Sequence, residues 1–343
     1  MGVNVVVACR VAQFTSLRDQ DFFAIGIAYQ LGAVQSWRPV AAGTVNSNFA
    51  LTTDRGRYFV RINEGKSLAE VEWEAALLSA IADAHVVIAP LCKTADQRVT
   101  LPWMCGDERK YVSVFPWLAG AHLAAADVDA IAAAALGQAL AHLHVATAPL
   151  VATLARPNRY DFAEISRRAQ GFAQSTDPLL QAANATIASE LHAIAAVAAL
   201  RNRASRVIIH GDLFRDNVLW SPAATPVLLD FEQACAGSVV YDLAVCLHDW
   251  AWGPHGVDWR LLEAMLRSYH AVRPLQADDL AALRWELRMV AVRFTVTRVT
   301  DVYLAKQPNA EKDFRAFLAR ADYWRSEAAI APLVRLTNSM VAR

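Results

Sequence analysis

Three polar side chains, Asp212, Asn217 and Asp230, stand at a spacing that could join a base to two metal ligands. Asn217 follows Asp212 by five residues, and Asp230 ends a short apolar run. A carboxylate can orient a hydroxyl and accept its proton, and amide and carboxylate oxygens are ligands that Mg²⁺ prefers. Transfer of a phosphoryl group to a hydroxyl needs these groups together. We therefore expect Asp212 to be the catalytic base, and Asn217 and Asp230 to bind Mg²⁺.

The order of these residues matches a known loop pattern. His210, Gly211 and Asp212, followed by Asn217, have the His-x-Asp-x-x-x-x-Asn spacing of the kinase catalytic loop, with glycine where protein kinases usually have arginine. Asp230 begins Asp-Phe-Glu, where those kinases have Asp-Phe-Gly. The alternative, that Asp212 and Asn217 only cap turns, does not account for both pieces in this order. The pattern therefore favours an ATP-dependent kinase.

Beyond this spacing, the chain resembles the aminoglycoside phosphotransferase/choline kinase superfamily, and within it the homoserine kinases of the protein-kinase-like fold. The similar stretches are His210–Leu219, Gly43–Phe49, Tyr241–Trp250 and Val292–Asp301. The resemblance implies an α+β, bilobal protein-kinase-like fold, with ATP and Mg²⁺ as cofactors. It also implies transfer to the hydroxyl of a small molecule, with L-homoserine, in threonine biosynthesis, as the best single candidate.

The elements that must position these residues change character near Pro116. Apolar and β-branched runs predict a small antiparallel sheet before it, and Ala-rich helical patterns follow it. The predicted strands cover 37–51 (two strands and a turn), 57–62, 101–104 and 111–115, with short strands at 207–209, 218–220 and 227–229 in the helical part. We predict an ATP-binding lobe over 1–115, a hinge over 116–120 and a helical lobe over 121–343.

The segment expected over the nucleotide phosphates departs from the kinase pattern. The resemblance places it at Gly43 to Asn48, but the segment is poor in glycine and lacks Gly-x-Gly-x-x-Gly. We expect Gly43 to lie in this loop, and Asn46, Ser47 and Asn48 to reach phosphate through side chains and backbone N–H groups. Without the catalytic loop, the same segment would be interpreted as an ordinary hairpin turn.

Arg61 occupies the strand position where kinases usually carry a lysine paired to a glutamate of the next helix. Ser67 and Glu70 have the spacing of a capping box, so that helix should begin just after Ser67. Glu74 is the best partner for Arg61, ahead of Glu72 and of Glu70, which the cap already uses. We expect Arg61 to hold nucleotide phosphates bidentately, although it could instead be a solvated strand residue.

Other residues are expected to hold adenine or to brace the catalytic loop. Pro116 has a carbonyl but no N–H, so in a hinge it can only accept a hydrogen bond from adenine, and Leu118 would be the donor. The resemblance implies that Asp242 is a structural acid beneath the loop, with His210 also structural. We interpret His144, near a helix end, as a packed core residue rather than a reactive one.

The acceptor is expected to be a small molecule, because no Ala-Pro-Glu follows Asp230 and no platform for a peptide is evident. An acceptor with an ammonium and a carboxylate needs acidic and basic groups, and the candidates are Asp249 with Trp250, and Arg293 with Arg298. These charges could instead pair with one another. Other small-molecule kinases (choline, sugar or aminoglycoside type) and a catalytically silent kinase-like binding protein remain alternatives.

The bulk composition excludes some classes of partner. Lys+Arg and Asp+Glu both number 33, so the formal net charge is zero, which does not favour nucleic acid or an acidic membrane. The five cysteines are scattered without a Cys-x-x-Cys pair, which favours reduced thiols in a cytoplasmic protein. The Ala-rich stretch 123–141 carries aspartates and is interpreted as a helix of a soluble protein. The oligomeric state is left open.

Overall fold

The N-terminal part of the chain forms a five-stranded antiparallel sheet in the order β1-β2-β3-β5-β4. A computed structural model describes residues 15–40, 46–82, 84–306 and 312–341. The strands are β1 (Val34–Pro39), β2 (Ser47–Thr53), β3 (Gly56–Asn63), β4 (Leu101–Cys105) and β5 (Glu108–Pro116). The predicted strands are confirmed, but β5 rather than β4 lies beside β3, because β4 and β5 form a hairpin that docks through its second strand.

One face of the sheet is covered by the first helix, α1 (Asp19–Ala28). Its Phe22 and Ile25 are fully buried and pack with sheet residues that alternate toward the same face, as the two-residue period of a strand requires. The sheet residues of this cluster are Phe49, Leu51, Val60, Ile62, Val112 and Val114. This packing fixes the sheet on which Arg61 is carried.

The helix α2 (Leu68–Ile81) connects β3 to the β4–β5 hairpin and begins where the sequence predicts. The Ser67 side chain accepts from the Glu70 N–H, and the Glu70 carboxylate accepts from the Ser67 N–H, which completes the capping box. Glu74 is buried on this helix among Val71, Leu77 and Leu78. A buried glutamate needs a cationic partner. The helix α2 presents the Glu74 carboxylate toward the sheet, where Arg61 lies.

The rest of the chain is mainly helical. The helices are α3 (Ala130–Thr147), α4 (Val151–Leu154), α5 (Phe162–Phe172), α6 (Pro178–Ala196), α7 (Ala198–Arg203), α8 (Val239–Trp250), α9 (Trp259–Val272), α10 (Ala277–Arg298), α11 (Phe314–Trp324) and α12 (Glu327–Val341). α10 is the central helix: most of its residues from Leu280 onward are buried. α3 packs closely on α9, where a Cβ at Gly137 would lie 2.4 Å from the Met265 carbonyl oxygen.

Short strands inside the helical part hold the segment 210–230. β6 (Arg206–Ile209) pairs with β9 (Cys235–Ser238), β7 (Val218–Trp220) pairs with β8 (Pro226–Leu228), and a two-residue ladder joins β10 (Trp252–Gly253) to β11 (Gly256–Val257). β6, β7 and β8 are predicted correctly. β9 is not predicted, because Cys-Ala-Gly-Ser has little β propensity and is held by its pairing with β6.

Among the described residues, one helical stretch, Ala130–Leu154, is long and apolar enough to cross a membrane by length and composition alone. Half of its most apolar window is buried inside the fold, and core helices of soluble proteins pass the same test.

Candidate active site

The catalytic-loop segment begins directly after β6 and is anchored by its backbone. The N–H groups of His210 and Gly211 each donate to the Asp242 carboxylate at 2.7 Å. Gly211 has φ +79°, a conformation that favours glycine, and a Cβ there would lie 3.1 Å from the Gln233 carbonyl oxygen. The His210 ring contacts the Leu229 carbonyl oxygen through Nε2 at 2.8 Å, which ties the loop to the segment before Asp230.

Asp242 is fully buried at the start of α8 and has a second set of partners. His144 Nε2 lies 3.0 Å from Asp242, and His144 Nδ1 lies 2.7 Å from the Tyr269 hydroxyl. Burial alone would raise the pKa of Asp242, but the hydrogen bonds from His144 and from the loop amide of Gly211 outweigh it and hold that pKa below its ordinary value. His144 therefore contacts the acid that braces the loop and lies inside the core.

Asp212 and Asn217 are held within one loop turn. Asn217 donates from Nδ2 to the Asp212 carbonyl oxygen at 2.8 Å, so its amide nitrogen is engaged and its Oδ1 is the atom left for another partner. The Asp212 side chain is 26% exposed, and its Oδ1 lies 3.4 Å from Arg293 Nη1. The geometry leaves Asp212 accessible from the cleft while Arg293 orients it.

Asp230 stands in a strained backbone conformation at the end of the second segment. Its φ of +59° is left-handed, which is uncommon for a residue other than glycine and recurs at functional sites. The side chain is 37% exposed. Desolvation by the surrounding cleft and the charge of Glu232 raise the pKa of Asp230 to about 7. Accumulated negative charge of this kind is what a divalent cation neutralises.

The donor set fits Mg²⁺ held jointly by protein and nucleotide. Among the described residues, no group of three or more His, Cys, Asp or Glu side chains could hold a metal ion by itself. Mg²⁺ in nucleotide sites is usually bound by one or two protein oxygens, together with phosphate oxygens and water. Asn217 and Asp230, on either side of the β7–β8 hairpin, would hold such an ion with one oxygen each.

Arg61 and Glu74 form the ion pair that the sequence predicts. Arg61 Nη2 lies 2.8 Å from Glu74 Oε2, and both side chains are buried. Arg61 Nη1 lies 3.5 Å from Asp230, so the guanidinium bridges α2 and the segment after β8. The alternative of a solvated strand residue is wrong, because Arg61 is only 6% exposed.

Sequence analysis missed two further charges, Lys66 and Glu232. Lys66 Nζ lies 2.7 Å from Glu232 and 3.9 Å from Glu74. Burial alone would raise the pKa of Glu232, but Lys66 and Arg61 lower it to about 2. Lys66 follows β3 in a loop, and its partner is more than 160 positions away in the chain, so no local spacing pointed to it. The Asp-Phe-Glu order was the one available signal for Glu232.

The predicted phosphate loop is anchored by side chains that were expected to contact phosphate. Ser47 donates from Oγ to Glu64 at 2.6 Å, while Asn46 donates from Nδ2 to Glu232 at 2.9 Å and accepts from the Glu64 N–H. Asn48 lies in β2 opposite Arg61. Gly43 lies outside the described residues. The side chains of Asn46 and Ser47 are thus already engaged within the protein.

The predicted hinge follows β5 directly. Pro116 is the last residue of β5, opposite Tyr58, and the Trp117 N–H donates to the Arg57 carbonyl oxygen at 2.9 Å. Among the described residues, no backbone oxygen accepts a hydrogen bond from the Leu118 N–H. The arrangement is compatible with the predicted donor role of Leu118.

The residues predicted to bind the acceptor fall into two groups. Asp249 is paired with Arg215, whose Nε and Nη2 lie 3.1 Å from its two oxygens and whose N–H donates to it at 2.7 Å. The structure corrects the predicted role of Trp250 in binding the acceptor. The side chain is 2% exposed and donates to the Leu213 carbonyl oxygen, so it supports the loop from the core. A large aromatic side chain on the inner face of α8 is buried with the rest of that helix.

Arg293 and Arg298 lie on α10, next to the loop side of the cleft. Arg293 is stacked on Phe294, 3.7 Å from the ring centroid, and contacts Asp212 as described above. Arg298 lies 4.4 Å from the centroid of Phe317, and Arg320 of α11 lies 4.3 Å from the same ring. Sequence analysis missed Arg215 and Arg320, because only tertiary packing brings them to this cleft.

Comparison with known proteins places the chain in a family. Residues 36–285 match the model of the phosphotransferase enzyme family. A homoserine kinase of Methylobacterium radiotolerans is 31% identical over 92% of this chain and 96% of its own length. A homoserine kinase of Pseudomonas aeruginosa is 31% identical over 83% and 87%, respectively.

Solved structures share the fold. A microcompartment-associated aminopropanol kinase superposes with a TM-score of 0.68 at 17% identity, covering 94% of this chain and 99% of that one. An amicoumacin kinase solved with AMP-PNP and Ca²⁺ gives 0.65 at 14% identity, covering 94% and 93%. The antiparallel sheet followed by a helical part is thus the bilobal protein-kinase-like fold. The chain belongs to the phosphotransferase enzyme family and is an ATP-dependent phosphotransferase that acts on an alcohol group of a small molecule.

Proposed function

We propose that the acceptor is L-homoserine and that the product is O-phospho-L-homoserine, formed in the cytoplasm with Mg²⁺ as the cation. The observation that carries this proposal is the mixed charge beyond Asp212. Asp216 and Asp249 lie there with arginines 215, 293, 298 and 320. An amino-acid alcohol offers an ammonium and a carboxylate to such a surface, whereas a polycationic aminoglycoside needs a mainly acidic one. The names of the relatives support the same substrate.

In this proposal Asp212 orients the acceptor hydroxyl and takes its proton as the oxygen attacks the terminal phosphorus of ATP. The bond between that phosphorus and the bridging oxygen breaks, and ADP leaves with the oxygen. Arg293 holds the Asp212 carboxylate in place from the side of α10. Asn217 and Asp230 bind the cation. Mg²⁺ supplies charge neutralisation on the phosphate oxygens.

Arg61, held by Glu74, faces the nucleotide phosphates, and the segment from Gly43 to Asn48 covers them. The Arg61 guanidinium lies next to Asp230, so a fixed positive charge lies beside this metal ligand. Pro116 and Leu118 provide the acceptor and donor for adenine. A nucleotide-bound structure with adenine contacts elsewhere would remove Pro116 and Leu118 from the site.

The substrate proposal is tested by ADP release from purified protein with Mg·ATP and a panel of hydroxyl compounds. The panel contains L-homoserine, 3-amino-1-propanol, ethanolamine, choline, a hexose and kanamycin. We expect L-homoserine to give the highest kcat/KM. A better acceptor elsewhere in the panel would replace it, and a folded protein with no turnover on any acceptor would support the silent binding protein instead.

A further inference from the structure

Two arginines, Arg298 of α10 and Arg320 of α11, stack on one buried ring, and neither has a carboxylate partner among the described residues. Their guanidinium carbons lie 4.4 Å and 4.3 Å from the Phe317 centroid. Within the described ranges, neither guanidinium has a carboxylate oxygen within 4.0 Å, whereas most other buried arginines of the chain do. The paired examples include Arg61 with Glu74, Arg288 with Glu190 and Arg201 with Glu286.

The hydrogen bonds of this pair go to main-chain oxygens. Arg298 donates from Nη1 to the Asp313 carbonyl at 3.0 Å, and Arg320 donates from Nη1 to the His248 carbonyl at 2.6 Å. Arg320 Nε is buried and has no hydrogen-bond partner among the described residues. Each guanidinium therefore has further N–H groups available in a fork that fits a carboxylate.

The described acids around the pair already have other cationic partners. Asp249 acts electrostatically on Arg298 and on Arg320, but both of its oxygens are bound by Arg215. The Asp313 carboxylate is bound by Arg315. Burial lowers the pKa of Arg298 and of Arg320 to about 10, so both stay protonated at neutral pH and the surplus positive charge persists.

A continuous row of aromatic contacts connects the pair to the catalytic loop. The Phe317 ring lies 4.9 Å from that of Phe294, and the Phe294 ring lies 4.8 Å from that of Phe214 in the loop. Arg293 lies over the ring of Phe294 and contacts Asp212. Arg298 is five residues further along α10, which is about 7.5 Å along the helix axis. Asp212 also acts electrostatically on Arg298, so the arginine pair lies near the catalytic loop.

We propose that Arg298 and Arg320 form a clamp that binds the carboxylate of the acceptor and so directs its hydroxyl to Asp212. This inference rests on the proposed function and adds the determinant of specificity to it. The clamp selects alcohols that carry a carboxylate over the same alcohols without one, because leaving two partly buried guanidinium groups without an anionic partner is costly.

The test compares two acceptors that differ only in the carboxylate, L-homoserine and 3-amino-1-propanol. Arg298→Gln and Arg320→Gln remove the charge, and Arg320→Lys keeps the charge but not the fork. Arg325→Gln is the matched control, because Arg325 ends α11 with an exposed side chain paired to Asp322. We expect each Gln variant to lower kcat/KM for L-homoserine by about 10- to 100-fold. The value for 3-amino-1-propanol should stay within about twofold, which also shows that the variants fold.

Equal losses on both acceptors, or no loss on L-homoserine, would contradict the clamp. If the wild type does not use L-homoserine, the proposed function fails, and the clamp is then judged on L-serine against ethanolamine. A wild type that uses only acceptors without a carboxylate overturns the clamp as well.

If no acceptor is turned over, thermal stabilisation by L-homoserine with AMP-PNP and Mg²⁺ is the readout. The clamp then requires stabilisation of the wild type and of Arg325→Gln, and its loss in both clamp variants. Stabilisation that persists in those variants, or that is absent from the wild type, counts against it.

Discussion

Asp230 shows how the site is set at the scale of single residues. Its left-handed backbone lies between a strand and a short turn, and its side chain is positioned by that backbone and by Arg61. Asp212 is positioned differently, by the Asn217 amide on its carbonyl and by Arg293 on its carboxylate. Two acids of one site thus have separate supports, so substitutions should separate their roles.

The first prediction concerns this separation. Asp212→Asn should lower kcat by about 10²–10⁴-fold with little change in nucleotide affinity, because the base is lost and the metal ligands remain. Asp230→Ala should weaken binding of Mg·ATP itself by more than about tenfold. Nucleotide affinity is measured by titration calorimetry with AMP-PNP and Mg²⁺, and kcat by ADP release.

Asp96→Asn is the control, since Asp96 is an exposed loop acid paired with Arg98. Identical behaviour of the Asp212 and Asp230 variants in both measurements would show that the division of roles is incorrect.

The sequence predicts the site residues that can be identified from their local spacing in the chain. Asp212 and Asn217 share one loop. Only the end of β3 and the cap of α2 separate Arg61 from the helix that carries Glu74. Local spacing does not identify Lys66 or Arg320, because the docking of distant elements determines their partners. The sequence pairs Trp250 with Asp249 as candidates for the acceptor, yet successive residues of a helix point in different directions.

At the scale of elements, α3 and α9 pack closely on each other. Gly137 lies against the main chain of Met265, so the two helices approach without a side chain between them. The same two helices carry His144 and Tyr269, which extend the support of Asp242. The spacing of these helices therefore bears on the catalytic loop.

Gly137→Ala should destabilise the protein by about 2–3 kcal/mol, because the added Cβ meets a backbone oxygen that cannot rotate away. Gly171→Ala is its counterpart: Gly171 is in α5, exposed, with no atom within 4 Å of an added Cβ. That change should leave stability equal or raise it by up to about 1 kcal/mol. Urea unfolding followed by circular dichroism measures both, and similar effects at the two glycines would refute the close contact.

At the scale of the whole molecule, buried histidines make folding depend on pH. His144 and His248 are fully buried, and burial lowers the pKa of each, that of His248 to about 3 with a contribution from Arg320. The unfolded chain binds protons at these positions below pH ~6.5, while the folded protein does not. The free energy of unfolding should therefore fall as pH drops from about 6.5 toward 3.

His248 contributes up to about 1.4 kcal/mol per pH unit within that window, and His144 acts in the same direction. Urea unfolding between pH 6.5 and pH 5 measures the slope. His248→Gln keeps an N–H for the Leu287 carbonyl that His248 Nε2 now contacts, and it removes one titrating group. We expect the slope of the unfolding free energy against pH to fall by the equivalent of about one bound proton. An unchanged slope would mean that His248 does not titrate on unfolding.

The overall architecture was accessible from the sequence to the level of lobes and elements. Apolar and β-branched runs predict the strands, and the capping box at Ser67 predicts the start of α2. The lateral order of β4 and β5 was not accessible, because either strand has a face that suits the sheet and the connection through α2 permits both. The dividing points at 115 and 120 remain predictions.

The bracing of the catalytic loop by Asp242 also determines how that loop can open. The amide protons of His210 and Gly211 are held by a carboxylate inside the core, not by a neighbouring turn of the loop. Their exchange with solvent then requires α8 to separate from β6, which is an opening of the helical part rather than a fluctuation of the loop. These two amides therefore report the cooperative stability of the helical lobe, although they lie beside Asp212, a partly exposed acid of the cleft.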